Sequence, residues 1–192
     1  MAKIATWACW GVVIVTWLAG ALHGVRNAHS KRQGLPASIW AIGAVVGAIL
    51  VVHFAWNDAT RVRVHWWWLS LPGLVLLVVS TAFTIWARLS LGRMWSASPN
   101  MLQAHHELRT NGPYAITRHP IYNGLLGMLL CTALLNGLGA SLAILIVGTV
   151  FLVTRIPIEE RLMKDTFPDD YTRYRERVPC LVPGLRLHRR AH

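Results

Sequence analysis

Apolar residues fall along this chain in five long blocks, near 4–23, 38–56, 66–87, 121–136 and 138–156. Each is long and apolar enough to cross about 30 Å of hydrocarbon as a helix. The fourth block is short, and only a tight link near 136–139 separates it from the fifth, so these two should form a helical hairpin. The pattern predicts an all-α integral membrane protein with five transmembrane helices. Residues 1–87 would supply three of them. Residues 88–192 would form a second region built from a polar connection, the hairpin and a polar C-terminal helical segment, joined to the first part as one structural unit.

The first block could be a signal peptide, but Lys3 alone makes a thin positive region and the apolar stretch is long, which favours a retained helix. Composition agrees with a membrane protein. Hydrophobic residues make up 54% of the 192 positions and charged residues 14%, against roughly 25% charged in soluble domains. A net charge of +11 raises the question of nucleic acid. The basic residues flank apolar runs instead of forming one patch, so anionic lipid headgroups explain the excess and no nucleic-acid partner is expected.

Lysine and arginine placement then predicts orientation. With the C-terminus inside, sixteen of the nineteen basic residues lie on the cytoplasmic side, leaving Lys3, Arg61 and Arg63 outside. The chain should be N-out and C-in. Trp56 and the run Trp66-Trp67-Trp68 then mark the outer interface, where an apolar ring with a polar N–H is well accommodated.

Two polar stretches remain, both expected on the cytoplasmic side: 88–120 and the tail from Glu159. In the first, Pro120 suits the opening turn of a helix, because its missing N–H would have had no partner there. Arg118 and His119 would sit at that helix N-terminus, a place suited to an anionic group such as a carboxylate, or else serve as interfacial residues. Tyr114 and Tyr122 read equally as interface anchors. In the second stretch, Arg155 and Glu159 are four apart and share a helix face at the membrane boundary. An ionisable residue there is a functional candidate, unless the two simply pair. Pro157 between them should kink the helix and free backbone carbonyls. Glu160 and Lys164, also four apart, are expected to form a solvated pair.

His105-His106-Glu107 lacks the spacing of a zinc site, and Cys9, Cys131 and Cys180 form no metal or redox pair, so no metal is expected. The chain has no nucleophile elbow, P-loop or dinucleotide fingerprint either.

These elements together resemble the isoprenylcysteine carboxyl methyltransferase and phospholipid methyltransferase family of integral membrane enzymes. The matching pieces are LGRMWS (91–96), HELRTNGPYAITRHPIYNG (106–124), EER (159–161) and FPDDYTRYRERVPCLVP (167–183), in order over about the last hundred residues. The resemblance implies S-adenosylmethionine as methyl donor, held in a cytoplasmic pocket between the membrane helices and the C-terminal segment. It implies cofactor contacts at His106, Glu107, Leu108 and Arg109, at Tyr114, and at His119, Pro120, Ile121 and Tyr122. Gln103 is the nearest match to a further cofactor-binding glutamine. Glu159 falls on a cofactor-binding glutamate and Arg155 on an arginine that binds the substrate carboxylate, and both are catalytic candidates. Pro157 and Ile158 stand where the isoprenylcysteine enzymes have a longer acidic run, so the resemblance says more about the cofactor than about the acceptor.

Methyl transfer from a sulfonium needs the acceptor in near-attack contact and water excluded. A carboxylate acceptor needs no base, only a cation such as Arg155 to orient it. An amine, as on a phospholipid, would have to lose a proton first, with Glu159 the nearest base. The sequence therefore favours a methyltransferase acting on a lipophilic carboxylate within the membrane, a small molecule or a prenylated substrate. A phospholipid-amine N-methyltransferase, an NADPH-dependent membrane reductase of the sterol-reductase type and a non-enzymatic membrane scaffold are the alternatives.

Overall fold

The computed structural model describes residues 2–27, 68, 70–92, 108–136 and 139–181. All regular structure in these residues is helical. Helix α1 covers Ala2–Asn27, α2 Ser70–Leu91, α3 Pro120–Asn136, α4 Gly139–Thr166 and α5 Pro168–Arg177, and a 3₁₀ turn at Gly112–Ala115 precedes α3. The expected span near 38–56 lies outside the described residues.

Three of these helices contain segments long and apolar enough to cross a membrane: Ala2–Gly20, Ser70–Leu91 and Ser141–Thr166. Helix α3, with 17 residues, extends only about 25 Å at the helical rise. Large apolar side chains point outward from the bundle, among them Ile4, Leu71 and Val147. That is the expected arrangement where the surrounding medium is hydrocarbon.

Two differences from the hydrophobic pattern bear on the site. Helix α2 runs on to Leu91, and Gly92 follows at φ 51°, the left-handed conformation that ends helices. Arg88, one position past the third apolar block, is therefore part of the bundle: it is buried, lies 6.0 Å over the Trp17 ring and packs against Gly20. Helix α4 continues through Pro157 to Thr166, ten residues past the expected end of the apolar block. This extension puts Glu159 and Glu160 on the same helix as Arg155.

Helix α3 lies between its neighbours, packed most extensively against α2, with α4 on another side and α1 closing the group. Small residues make the α2–α3 approach close. A Cβ on Gly124 would come 2.1 Å from Thr84 Oγ1, and one on Gly127 would come 2.4 Å from Ser80 Oγ. Small residues bring helix backbones together where lipid gives no hydrophobic drive for association. Val13, Leu77, Met128, Cys131 and Leu135 form the core beneath this contact. The buried hydroxyls bond back to their own helix, Thr81 to Leu77 O at 2.8 Å and Thr84 to Ser80 O at 2.7 Å. This leaves no polar group of theirs facing the apolar interior unpaired.

Candidate cofactor site

The site begins with the turn before α3. Gly112 sits at φ 60°, a conformation that Gly adopts without penalty, and its Cα faces Trp86 and Ser90 at the end of α2. Pro113 then starts the 3₁₀ turn. The turn buries Tyr114 and leaves Thr117, Arg118 and His119 as an irregular link into Pro120. Asn123 N–H bonds His119 O at 3.0 Å, so Pro120 occupies the opening turn of α3 as its missing N–H predicts.

The C-terminal segment closes over this link. Helix α5 starts with Pro168, has Asp169 and Asp170 in its first turn and carries Arg175 and Arg177 in its last, each charge complementing the helix dipole. It buries Tyr171 and Tyr174. The Tyr174 hydroxyl donates to Tyr114 O at 2.6 Å. Beyond α5 the chain pairs with the link: Arg118 N–H donates to Pro179 O at 2.9 Å and His119 N–H to Cys180 O at 3.2 Å. Thr117 Oγ1 donates to Cys180 O at 2.7 Å.

Where the N-terminal end of α3 meets the C-terminal half of α4, four of the expected site residues converge. The Tyr122 hydroxyl donates to Glu159 Oε1. The His119 ring lies parallel to that of Tyr122, with centroids 5.6 Å apart and planes at 7°. His119 Nδ1 is 3.7 Å from Glu159 Oε2, and Nε2 is 3.6 Å from Glu160 Oε1. Arg155 Nε stands 3.8 Å from Glu159 Oε1, and its guanidinium lies 5.7 Å over the Phe151 ring.

Electrostatics follow from this placement. Burial disfavours charge on His119, but the Cys180 side chain and the Glu159 and Glu160 carboxylates outweigh it and raise its pKa to about 10. These neighbours favour the cationic imidazole at neutral pH. Burial first, then Tyr174 and the Glu159 carboxylate, push the Tyr114 phenol above its ordinary range and keep it neutral.

Of the remaining expected contacts, Pro120 is buried at the head of α3 and Ile121 half-buried beside it. Leu108 and Arg109 are also half-buried. Leu108 lines a cavity of about 610 Å³ with Thr110, Ala115, Phe167, Asp170 and Tyr174. That cavity lies along α5, and none of His119, Tyr122 and Glu159 lines it. Gln103, His106 and Glu107 lie outside the described residues, as does His105.

Two expectations are corrected. Glu160 is not a solvated partner of Lys164: its side chain is 16% exposed and pairs with Arg118 at 2.6 Å. Arg118 is not an open anion site at the α3 terminus. Its Nε and Nη2 both donate to Glu160 Oε1, at 2.9 and 2.6 Å. Its Nη1 donates to the carbonyls of Arg175 and Val178, each at 2.9 Å.

His119, Glu160 and Cys180 also bring three donor atoms within 4.8 Å of one another, which is ligand spacing for a metal. The charge environment opposes that use. Glu160 Oε1 already accepts from Arg118, and Oε2 faces Arg175 Nε at 3.8 Å. A cation would have to displace one of these guanidinium groups, so the cluster is an ion-pair network.

Comparison with known proteins places the arrangement in a family. The phospholipid methyltransferase family model matches residues 68–170. Protein-S-isoprenylcysteine O-methyltransferase B of Arabidopsis thaliana is 32% identical over 124 residues, which is 61% of this chain and 60% of the relative. A cobalt-zinc-cadmium resistance protein of Cupriavidus metallidurans is 30% identical over 176 residues, covering 89% of this chain and 73% of the relative. The solved eukaryotic intramembrane Ras methyltransferase, isoprenylcysteine carboxyl methyltransferase, superposes with a TM-score of 0.64 at 21% identity. That match covers 93% of this chain and 65% of the solved one, and it shows the same membrane fold. The family match takes in α2 through the first turn of α5, with Tyr122, His119 and Glu159 inside it: the chain belongs to the phospholipid methyltransferase family.

Proposed function

We propose that this chain is an S-adenosylmethionine-dependent membrane methyltransferase acting on a lipophilic acceptor that bears a carboxylate. The observation that carries this reading is the meeting of Tyr122, His119 and Glu159 where the N-terminal end of α3 meets the C-terminal half of α4, with Arg155 beside Glu159. Family membership supports methyl transfer, and the chain spans 60% of the length of its Arabidopsis relative.

The residues suit the proposed donor. An amino acid head group carries one ammonium and one carboxylate, and the site offers a carboxylate, Glu159, next to a cationic imidazole, His119. The flat faces of Tyr122 and His119 add an aromatic wall, and Tyr114 is buried nearby as a neutral phenol. S-adenosylmethionine, when bound, supplies a methyl group activated by its sulfonium. Glu159 would hold the ammonium, and Tyr122 would fix the Glu159 carboxylate by its hydrogen bond. Arg155, about a quarter exposed, would orient one acceptor carboxylate oxygen and leave the other free as nucleophile. The lysine and arginine asymmetry supports a cytoplasmic site, with the acceptor entering from the bilayer.

Calorimetric titration of the purified full chain with S-adenosylhomocysteine and with NADPH tests this. The proposal expects binding of the first and none of the second. Binding of NADPH alone would move the chain to the reductase reading.

A further inference from the structure

We propose that Arg118 is a positioning residue: it clasps the C-terminal segment onto the 117–119 link, and the cofactor wall formed by His119 depends on that clasp. This rests on the cofactor reading above and adds to it a requirement for the tail.

Arg118 is an unusual cation for a membrane boundary. Its side chain is 9% exposed, and one guanidinium reaches two separate elements. Two of its donors converge on Glu160 of α4, and a third bridges the carbonyls of Arg175 and Val178 at the end of α5. Those carbonyls belong to the helix C-terminus, whose partial negative charge favours a cation. The same residue's backbone N–H is bonded to Pro179, and that of His119 to Cys180. One residue therefore joins α4, α5, the tail and the link into α3.

His119 is held by that junction, by its stacking on Tyr122 and by the α3 bond from Asn123 N–H to its carbonyl. Its N–H is fixed by the tail, and its ring lies between Glu159 and Glu160, of which Glu160 is oriented by Arg118. Without Arg118, Glu160 would be left half-buried with only the longer contacts to His119 Nε2 at 3.6 Å and Arg175 Nε at 3.8 Å, and the α5 carbonyls would lose their donor. The ring of His119 would then lose its fixed place beside Tyr122.

Arg118→Lys keeps the charge but cannot reach three acceptors with a planar fork. Arg118→Gln removes the charge, and Glu160→Gln acts on the opposite partner with little change of shape. The test measures S-adenosylhomocysteine binding by calorimetry on the full chain, reading affinity and stoichiometry separately, with amide exchange at residues 118 and 119. All three variants are expected to raise Kd about tenfold or more at unchanged stoichiometry, with faster exchange at both amides. A merely structural residue would lower the stoichiometry, because fewer molecules fold, and leave Kd alone. That outcome, or variants whose Kd stays within about twofold of wild type, overturns the positioning role. If wild type itself does not bind S-adenosylhomocysteine, the cofactor reading falls and this one with it. Should Arg118→Gln not fold, Arg118→Lys and Glu160→Gln decide by the same criteria.

Discussion

Tyr122 and Glu159, 37 positions apart, are joined by a hydrogen bond from the phenol to the carboxylate across the α3–α4 interface. The bond links the two halves of the hairpin at the end away from its 136–139 turn. It also aims the Glu159 carboxylate toward His119. Removing the hydroxyl in Tyr122→Phe should weaken S-adenosylhomocysteine binding about tenfold, and Glu159→Ala should lose it more completely. Fluorescence or calorimetric titration checks both, and wild-type affinity in Glu159→Ala would contradict the site.

His119 predicts a pH dependence whose sign can be worked out. Its folded pKa is raised to about 10, above roughly 6.5 in an unfolded chain. The interactions of the cation therefore contribute fully below about pH 6.5 and are lost as pH rises through 10. Stability of the purified chain should fall on going from pH 7 toward pH 10, by about 1 kcal/mol or more. In His119→Gln this component of the fall should vanish. Thermal melts of both proteins across that range check it, and identical slopes would contradict it.

Arg155 is assigned to the acceptor, not to the donor. Arg155→Ala should raise the acceptor KM about tenfold or more while the affinity for S-adenosylhomocysteine stays within about twofold. Arg155→Lys should recover only part of the loss, because an ammonium cannot reproduce the fork. Loss of cofactor binding in Arg155→Ala would contradict the assignment.

The hairpin is placed by close packing of small residues. A Cβ at Gly127 would meet Ser80 Oγ at 2.4 Å and Ser80 Cβ at 3.1 Å. Gly127→Ala should therefore lower stability by about 1–3 kcal/mol through overpacking. The double variant Gly127→Ala/Ser80→Ala removes the closer clash and should recover part of that loss. Additive losses in the double variant would show that the two residues are not in contact.

Much of this architecture was legible because the apolar blocks and the Pro120 helix start are local signals. Arg155 and Glu159 were legible as a pair because spacing along a helix fixes a shared face. Glu160 and Arg118 were not. Local spacing offered Glu160 a partner in Lys164, but its side chain faces the 117–119 link, and the stronger partner comes from 42 positions away. Arg118 reads locally as a cation at a helix start. Only the packing of α4 supplies the carboxylate, and only the docking of α5 the carbonyls, that bind it. Arg88 illustrates the same limit: a flank charge by hydropathy becomes a buried one once α1 presents Gly20 and Trp17 to it.

The most direct test of the account is transfer of a labelled methyl group from S-adenosylmethionine by membranes containing the full chain. The acceptors offered would be a prenylated cysteine with a free carboxylate and, in parallel, a phospholipid amine. The account predicts base-labile methyl ester on the carboxylate with wild type and about background with Glu159→Ala. Label on the phospholipid amine alone would overturn the choice of acceptor. No transfer to either acceptor, nor to any lipid of a total extract of the source cells, would contradict the central claim.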